Sequence, residues 1–320
     1  MNTLRPTRPK DLTWLVALAA ALWGTDAIFR LPLAQGTSAS TVVFAEHAIL
    51  TLVLIPFLPA AWRAFRRANP AARWAVIAIG AGASAIATML FTLAFRSGDP
   101  ITPVVMQKLQ PVLAMVGAAF LLRERLRLRF AWFAIPALVG FWLLAFPDPI
   151  HISVNRLQVA LLALGAAALW AGGTVLGRLV STTFTPTELT TLRFSIGLPA
   201  SAIVVAVTGS PWWVPDLRST GGVVALALVV GLLAMLLYYR GLRQTPASRA
   251  TLAELAFPLT AALVGIGWFD HVLNAGQWIG AGLVVITVTA LAWHESTSGT
   301  PAVAAGQPQM LVTTGARPGH

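Results

Sequence analysis

The sequence predicts an all-α membrane protein with ten transmembrane helices, arranged as two inverted five-helix repeats. Three observations predict this fold. The 320 residues are 57% hydrophobic and 10% charged, with a mean hydropathy of +0.76, which excludes an ordinary soluble domain. Ten apolar segments are long enough to cross a hydrocarbon core of about 30 Å. A shift of the chain by 147 residues places like residues on one another.

The internal repeat is indicated by the rarer residue types, since apolar matches are common in such a chain. The shift superposes three pairs of them, namely Trp23 and Trp170, Arg96 and Arg243, and Pro111 and Pro258. Each copy contains five segments of membrane length. Because this number is odd, the second copy enters the bilayer from the side opposite to the first. This inverted plan is found in many secondary transporters.

The predicted helices follow one another with short connectors. In order they cover residues 12–33, 40–61, 73–95, 101–122, 130–147, 157–179, 187–208, 221–240, 248–269 and 276–293. Connectors such as Ser97-Gly98-Asp99-Pro100 carry turn and breaker residues. The two repeats therefore span residues 12–147 and 157–293, after an N-terminal segment at 1–11. Residues 296–320 are rich in Ser, Thr, Gly, Pro and Ala, which predicts a disordered tail.

The distribution of cations predicts the orientation, because short cytoplasmic loops concentrate Lys and Arg. In the first half, three cation clusters fall on one side of the bilayer, at residues 5–10, 63–73 and 123–129. The other side has only Arg96 and Arg156. We therefore expect both termini in the cytoplasm and the chain in the plasma (inner) membrane.

Six charged residues fall inside the predicted helices, where each costs about 2.5–3.5 kcal/mol at the bilayer centre on insertion scales. They are Asp26, Arg30, Glu46, Lys108, Arg193 and Glu254, with His47 as a titratable neighbour. Their formal charges sum to zero. Since such a cost has to be compensated, these side chains are expected to pair with one another.

Depth along the helices sorts four of these charges into two pairs. Glu46 and Lys108 each lie about seven residues, roughly 10 Å, from the outer ends of their helices. Arg193 and Glu254 lie equally far from the inner ends. The shift maps Glu46 onto Arg193, and Gln107, next to Lys108, onto Glu254. We expect Glu46 with Lys108 towards the outside and Arg193 with Glu254 towards the inside.

Asp26 and Arg30 lie one helical turn apart and are expected to join the outer pair. Two interpretations of these charges stay open. Either they only offset each other's burial and hold the helices in register, or they line a central cavity, bind polar groups of a solute and gate access. His47 is more typical of a packed, hydrogen-bonded histidine than of a proton relay.

Two prolines occupy equivalent positions within helices. Pro111 and Pro258 each remove a backbone hydrogen bond, which bends or weakens a helix. A local break beside Gln107 and Gln110, matched by one beside Glu254, suits a binding site at the repeat interface. The alternative is a structural kink without ligand contact.

Aromatic residues complete the candidate site. Trp170 and its counterpart Trp23 lie near the middle of their helices rather than at an interface. Tyr238 and Tyr239 are either interface anchors or face the cavity. Trp170 and Tyr239 are therefore included among the candidate solute-binding residues.

The sequence disfavours several other classes. With no cysteine, the chain has no disulfides, thiolate metal sites or thiol nucleophiles. The net charge of +11 comes from Arg residues in short connectors, which argues against nucleic-acid binding. The usual zinc-protease, serine-hydrolase and phosphate-loop motifs do not occur, and no metal or cofactor is expected. An intramembrane enzyme and a membrane sensor or assembly subunit remain as alternatives.

One stretch resembles a known family. Residues 239–258, Tyr-Arg-Gly-Leu-Arg-Gln-Thr-Pro-Ala-Ser-Arg-Ala-Thr-Leu-Ala-Glu-Leu-Ala-Phe-Pro, resemble the junction of the eighth and ninth helices in EamA-type carriers of the drug/metabolite transporter superfamily. Lys108-Leu-Gln-Pro111 and Leu121-Leu-Arg-Glu-Arg-Leu126 are similar to the fourth helix of that family. The resemblance covers roughly residues 12–293. The second repeat departs from it at Phe269-Asp270-His271, where a Glu is common.

The resemblance implies a ten-helix fold in which the first four helices of each repeat surround a central cavity. It also implies secondary transport, frequently export, of small metabolites, amino acids or drugs. The expected partners are a small-molecule solute and the lipid bilayer, and a homodimer is considered. Protons are a candidate coupling ion, because desolvation of Asp26, Glu46 and Glu254 favours their protonated forms, whereas ion pairing favours the charged forms.

Overall fold

The computed structural model describes residues 12–97, 102–110, 113, 131–146, 148, 154–180, 182–242, 253, 256–270 and 272–297. Every regular element in these residues is helical. Five helices among them are long and apolar enough to cross a membrane, or six if a bent pair counts as one span. The five are Thr13–Gly36, Pro70–Phe95, Asn155–Gly177, Pro186–Thr208 and Leu217–Tyr238, and the bent pair is Ala39–Val53 with Ile55–Arg67.

The helices are numbered here in chain order. The first copy contains α1 (Thr13–Gly24), α2 (Asp26–Gly36), α3 (Ala39–Val53), α4 (Leu58–Arg67), α5 (Pro70–Ile77), α6 (Ala87–Phe95), α7 (Thr102–Met106) and α8 (Ala131–Ala145). The second contains α9 (Val154–Val180), α10 (Pro186–Thr208), α11 (Leu217–Ala225), α12 (Ala234–Leu242), α13 (Ala256–Phe269) and α14 (Ala275–Thr297). A first π segment (Ala78–Ile86) joins α5 to α6, and a second π segment (Leu226–Leu233) joins α11 to α12.

The first two predicted helices are not continuous. α1 gives way to α2 at Thr25, whose hydroxyl donates to the Leu22 carbonyl at 2.7 Å. The predicted helix at 40–61 bends by 60° where α3 gives way to a 3₁₀ turn at Ile55–Phe57 and then to α4. Pro56 explains the bend, because its nitrogen carries no hydrogen and cannot continue the α-helical ladder.

The secondary structure repeats with the same shift of 147 residues as the sequence. Ser38 and Thr185 both cap helices with their hydroxyls, at the starts of α3 and α10. Asn69 and Asp216 cap α5 and α11 with their side-chain amide and carboxylate oxygens. The shift carries the first π segment onto residues 225–233, where the second π segment lies. The two copies therefore share irregularities as well as apolar segments.

The two copies pack against each other through apolar side chains. One buried cluster joins α1, α2 and α6 of the first copy to α9 and α13 of the second, through residues that include Ala20, Leu31, Phe91, Ala166, Phe257 and Ala261. A second joins α3 to α11 and the second π segment, and includes Val42, Ala45, Val223 and Val230. Large apolar side chains such as Trp74, Trp212 and Trp278 stay exposed on the outer surface, as a lipid environment favours.

The last described helix runs past its predicted end. α14 reaches Thr297, whereas the prediction ended the helix at 293 and began a disordered tail at 296. No proline or glycine interrupts residues 294–297, so the backbone ladder continues beyond the apolar segment. The rest of the predicted tail and the N-terminal segment 1–11 lie outside the described residues.

Candidate functional site

Three of the predicted intramembrane charges meet in one cluster in the first copy. Arg30 donates from Nε and Nη2 to the two carboxylate oxygens of Asp26, at 2.7 and 2.9 Å. Its Nη1 lies 2.9 Å from the Thr92 hydroxyl and 3.4 Å from a carboxylate oxygen of Glu46. All four residues are buried. We call Asp26, Arg30, Glu46 and Thr92 the Arg30 cluster.

The geometry of the Arg30 cluster follows from the helix hairpin. Asp26 and Arg30 are one turn apart on α2, which brings the guanidinium fork against the carboxylate. Arg30 lies six residues before the end of α2, and Glu46 seven residues after the start of α3. Consecutive antiparallel helices with a short turn place such residues at the same height. The guanidinium also lies 5.7 Å from the ring centroid of Phe91, as a cation–π contact.

Glu46 and Asp26 have a common cationic partner in this arrangement. Asp26 and Arg30 were expected to join Glu46, and Arg30 contacts both carboxylates. The expected pairing of Glu46 with Lys108 concerns a side chain outside the described set. The two carboxylates share one guanidinium. Asp26 takes the bidentate contact, and Glu46 is left with the longer one. Glu46 is therefore the more weakly held of the two acids.

His47 connects α3 to the first π segment. One ring nitrogen, Nδ1, lies 2.8 Å from the Val43 carbonyl, and the other, Nε2, lies 2.9 Å from the Ser84 hydroxyl. The ring also packs edge-on against Phe194 of α10, with centroids 5.6 Å apart. A Cβ placed on Gly197 would lie 2.5 Å from this ring, so only glycine allows α10 to approach so closely. His47 thus has a partner on both ring nitrogens.

Arg193 of α10 also contacts the first π segment. Its Nη2 donates to the Ala83 carbonyl at 3.3 Å. The backbones are very close here, since a Cβ on Gly80 would lie 2.7 Å from the Cβ of Ile196. Glu254, the predicted partner of Arg193, lies outside the described residues. The second copy therefore holds the first π segment through a cation and through close packing.

Two aromatic pairs cross between the copies at the same centroid distance. Trp23 lies 5.1 Å from Tyr238, and Phe91 lies 5.1 Å from Trp170, between ring centroids. The shift of 147 residues turns Trp23 into Trp170 and Phe91 into Tyr238. Exchanging the two copies therefore converts each pair into the other. Such reciprocal contacts are produced by a two-fold axis between two similar units.

The remaining candidates are placed only in part. Gln107 and Gln110 are half-buried, and the chain forms a 3₁₀ turn at Gln107–Leu109 rather than continuing α7. The side chains of Lys108, Tyr239 and Pro258 lie outside the described set, and so do residues Pro111 and Glu254. No metal-binding group of His, Asp or Glu occurs among the described residues.

An open groove of about 480 Å³ lies away from these residues, between α5 and the C-terminal part of α9. Its walls are mostly apolar and include Asn69, Ala72, Trp74, Ala75, Leu176 and Val180. The groove contains none of the intramembrane charges. It therefore does not contribute to the candidate site.

Sequence reasoning missed several parts of the site. Thr92 carries no charge and stands in an apolar helix, so nothing in the pattern marked it. Ser84 belongs to a Gly-Ala-Gly-Ala-Ser run, which indicates close packing but not a histidine partner. The Ala83 carbonyl is a backbone group, which no composition reveals.

Comparison with known proteins agrees with this architecture. The model of the EamA-like transporter family matches the chain twice, at residues 12–146 and 157–293. The chain is 31% identical over 290 residues to the riboflavin transporter ImpX of Fusobacterium nucleatum, covering 86% of this chain and 95% of that protein. It is 29% identical over 279 residues to the uncharacterized transporter YwfM of Bacillus subtilis, covering 85% and 90%.

A solved crystal structure shares the fold. It covers 88% of this chain and 98% of its own, with a TM-score of 0.61 and 21% sequence identity. At this identity the likeness concerns the fold alone. The two matches to the family model together cover most of the chain. This membrane protein belongs to the EamA-like transporter family.

Proposed function

We propose that the chain is a secondary-active carrier that exports a small solute by alternating access, with the solute bound between the two repeats. Ten helices would be inserted in the plasma membrane as two inverted five-helix repeats, at 12–147 and 157–293. Both termini would then lie in the cytoplasm. The reciprocal aromatic pairs carry this proposal. Because each copy would have an odd number of spans, the two-fold axis that relates the two pairs would lie in the membrane plane.

The candidate binding surface lies where the repeats meet. Asp26, Arg30 and Glu46 supply charge, and Trp23 and Trp170 supply aromatic faces from the two copies. Asp26 and Arg30 share one side of α2, and Trp23 lies in the last turn of α1, just before them. Such a surface suits a planar solute with polar edges. The other proposed contact or gating residues are Gln107, Gln110, Lys108, Arg193, His47, Tyr239 and Glu254. The proposed helix breaks are Pro111 and Pro258.

Riboflavin is the first solute to test, because a relative with 31% identity is named a riboflavin transporter. Its planar ring system and polar ribityl chain match an aromatic pair beside buried charges. Protons are the coupling ion to test, because two carboxylates share a single guanidinium in the Arg30 cluster. If the Glu46 side chain leaves this shared contact, its buried charge has to be compensated in another way.

The test uses the full chain reconstituted in liposomes. Riboflavin and a panel of amino acids and drug-like amines are followed in both directions, with and without a pH gradient. We expect flux of at least one solute that responds to the gradient and is lost in Glu46→Gln. Asp216→Asn is the matched control, since it also neutralises a carboxylate, while asparagine still caps α11.

The outcomes separate the candidate classes. A carrier moves the solute unchanged, an enzyme converts it, and a sensor or assembly subunit does neither. Flux that is equal in the parent and in empty liposomes, for every solute, would contradict the proposal. Flux that is unchanged in Glu46→Gln would leave a carrier whose buried charges are structural.

A further inference from the structure

The two π segments are equivalent in the repeat, but they meet the opposite helix with different chemistry. At the first π segment, Arg193 donates to the Ala83 carbonyl and His47 bonds to Ser84. Under the shift of 147 residues, Arg193 with the Ala83 carbonyl is equivalent to Glu46 with the Val230 carbonyl. His47 with Ser84 is equivalent to Phe194 with Gly231. The second interface therefore has an acid in place of the cation Arg193, and a glycine in place of Ser84. The repeat is thus symmetric in backbone and asymmetric in charge.

The two interfaces are also packed differently. A Cβ on Gly80 of the first π segment would lie 2.7 Å from Ile196, well inside van der Waals contact. The equivalent of Gly80 in the second π segment is Ala227, which carries a Cβ, so the second interface has room for a side-chain atom where the first has none. The structure therefore has α10 closed on the first π segment, while α3 sits less tightly on the second.

Alternating access in inverted-repeat carriers exchanges the conformations of the two repeats around a fixed site. In the opposite-facing conformation, α3 would close on the second π segment in the way that α10 now closes on the first. Glu46 would then lie against the Val230 carbonyl, as Arg193 lies against Ala83 now. α3 is already placed for this movement, because Val42 and Ala45 pack with Val230 in one apolar cluster.

A carboxylate cannot occupy that position without a proton. A guanidinium donates to a carbonyl oxygen, whereas an ionised carboxylate only accepts, so the two oxygens would repel each other in a buried site. A carboxylic acid donates its O–H. We propose that Glu46 is the coupling-proton site, and that its protonated form donates to the Val230 carbonyl in the opposite-facing conformation. This inference rests on the alternating access of the proposed function.

The proton and charge balance is simple. Glu46 leaves Arg30 and takes up one proton from the aqueous side to which it is open, and it releases that proton when it returns. Arg30 stays compensated by the bidentate contact with Asp26. The cluster then holds one anion and one cation instead of two anions and one cation, so no uncompensated charge remains buried.

The other titratable and charged groups that face Glu46 are few among the described residues. α2 contributes Asp26 and Arg30, α6 contributes the neutral Thr92, and α3 itself contributes His47. Arg193 of α10 lies within electrostatic range of His47, which follows Glu46 in the chain, and the Lys108 side chain lies outside the described set. The second π segment contains no ionisable residue, so the proposal assigns the donor to the Val230 carbonyl to protonated Glu46.

The test needs no transported solute. The chain contains no cysteine, so a single introduced cysteine is the only thiol. Ser84→Cys reports on the first π segment, which is now buried, and Gly231→Cys reports on the second, where the added atoms have room. The rate of N-ethylmaleimide labelling is measured across pH in nanodiscs. It is divided by the rate for the same variant unfolded in detergent, which removes the thiol's own pH dependence.

We expect opposite trends from the two reporters. Acidification should raise labelling of Ser84→Cys and lower that of Gly231→Cys, by up to about tenfold per pH unit, the limit for one linked proton. Adding Glu46→Gln should fix both rates near their acidic values at every pH, because the glutamine amide donates as the acid does. Adding Asp216→Asn should leave both trends unchanged.

Three results would overturn the proposal. The first is labelling of both reporters that does not change with pH in the parent background. The second is a pH trend that persists with Glu46→Gln, which would assign the proton to another group such as His47. The third is a failure of Glu46→Gln to raise Ser84→Cys labelling in alkaline buffer. A separate absence of solute flux would affect only the proposed transport function.

Discussion

Replacing Arg30 with methionine tests whether the Arg30 cluster is held together by charge. The substitution keeps an unbranched apolar stem but removes the guanidinium. Asp26 loses contacts at 2.7 and 2.9 Å, Glu46 loses one at 3.4 Å, and Thr92 loses one at 2.9 Å. Two buried carboxylates are then left without their shared cation.

The expected loss is large. Removing one partner of a buried ion pair costs about 3–5 kcal/mol, because the other charge stays buried and uncompensated. This corresponds to roughly two to four powers of ten in the unfolding equilibrium. The assay is equilibrium unfolding of the purified chain in mixed micelles of increasing dodecyl sulfate content, followed by circular dichroism.

A neutral version of the cluster serves as the matched control. Asp26→Asn and Glu46→Gln, combined with Arg30→Met, remove all three charges, so we expect most of the lost stability to return. A stability of Arg30→Met within about 0.5 kcal/mol of the parent would refute the reasoning. So would a triple variant that is no more stable than the single one. Loss of solute flux in a stable triple variant would show that the charges act in transport and not only in packing.

Two further substitutions test the packing of the copies. Gly197→Ala should lower the free energy of unfolding by about 1–3 kcal/mol, because its Cβ would fall 2.5 Å from the His47 ring. Gly82→Ala, where a Cβ meets nothing within 4 Å, is its control in the same detergent titration. Trp23→Leu and Trp170→Leu should each cost a similar amount, about 0.5–1.5 kcal/mol beyond lost area, since the two aromatic pairs are equivalent. Effects that differ by more than about 2 kcal/mol would contradict the two-fold relation of the pairs.

Composition and periodicity predicted the helical membrane class, and the self-match predicted two copies. Both follow from properties that are local or repeated in the chain. The breaks at Thr25 and at the two π segments were not predicted, because they preserve the apolar pattern and only change backbone hydrogen bonding. Pro56 was a visible breaker, but a proline alone does not say whether a span bends or ends.

The charged residues of the site were predicted better than its neutral ones. The cost of burying charge identified Asp26, Arg30 and Glu46 as residues that need partners. Asp26 and Arg30, one helical turn apart, were expected to join Glu46, and Arg30 contacts both carboxylates. The pairing of Glu46 with Lys108 stays a prediction, because the Lys108 side chain lies outside the described set. Thr92 and the Ala83 carbonyl carry no signal in the sequence, since an uncharged hydroxyl and a backbone oxygen occur throughout any helix.

By itself the sequence determined that the chain is helical, apolar and duplicated, and that several ionisable side chains must be compensated inside it. Hydropathy, repeat length and burial cost are sums over residues, so they can be obtained without coordinates. Only the tertiary structure decided which cation the carboxylates share and which π segment the opposite copy holds. Those contacts depend on helix rotation and tilt to within an ångström or two. The close approach of α10 to His47, for example, requires that residue 197 carry no Cβ.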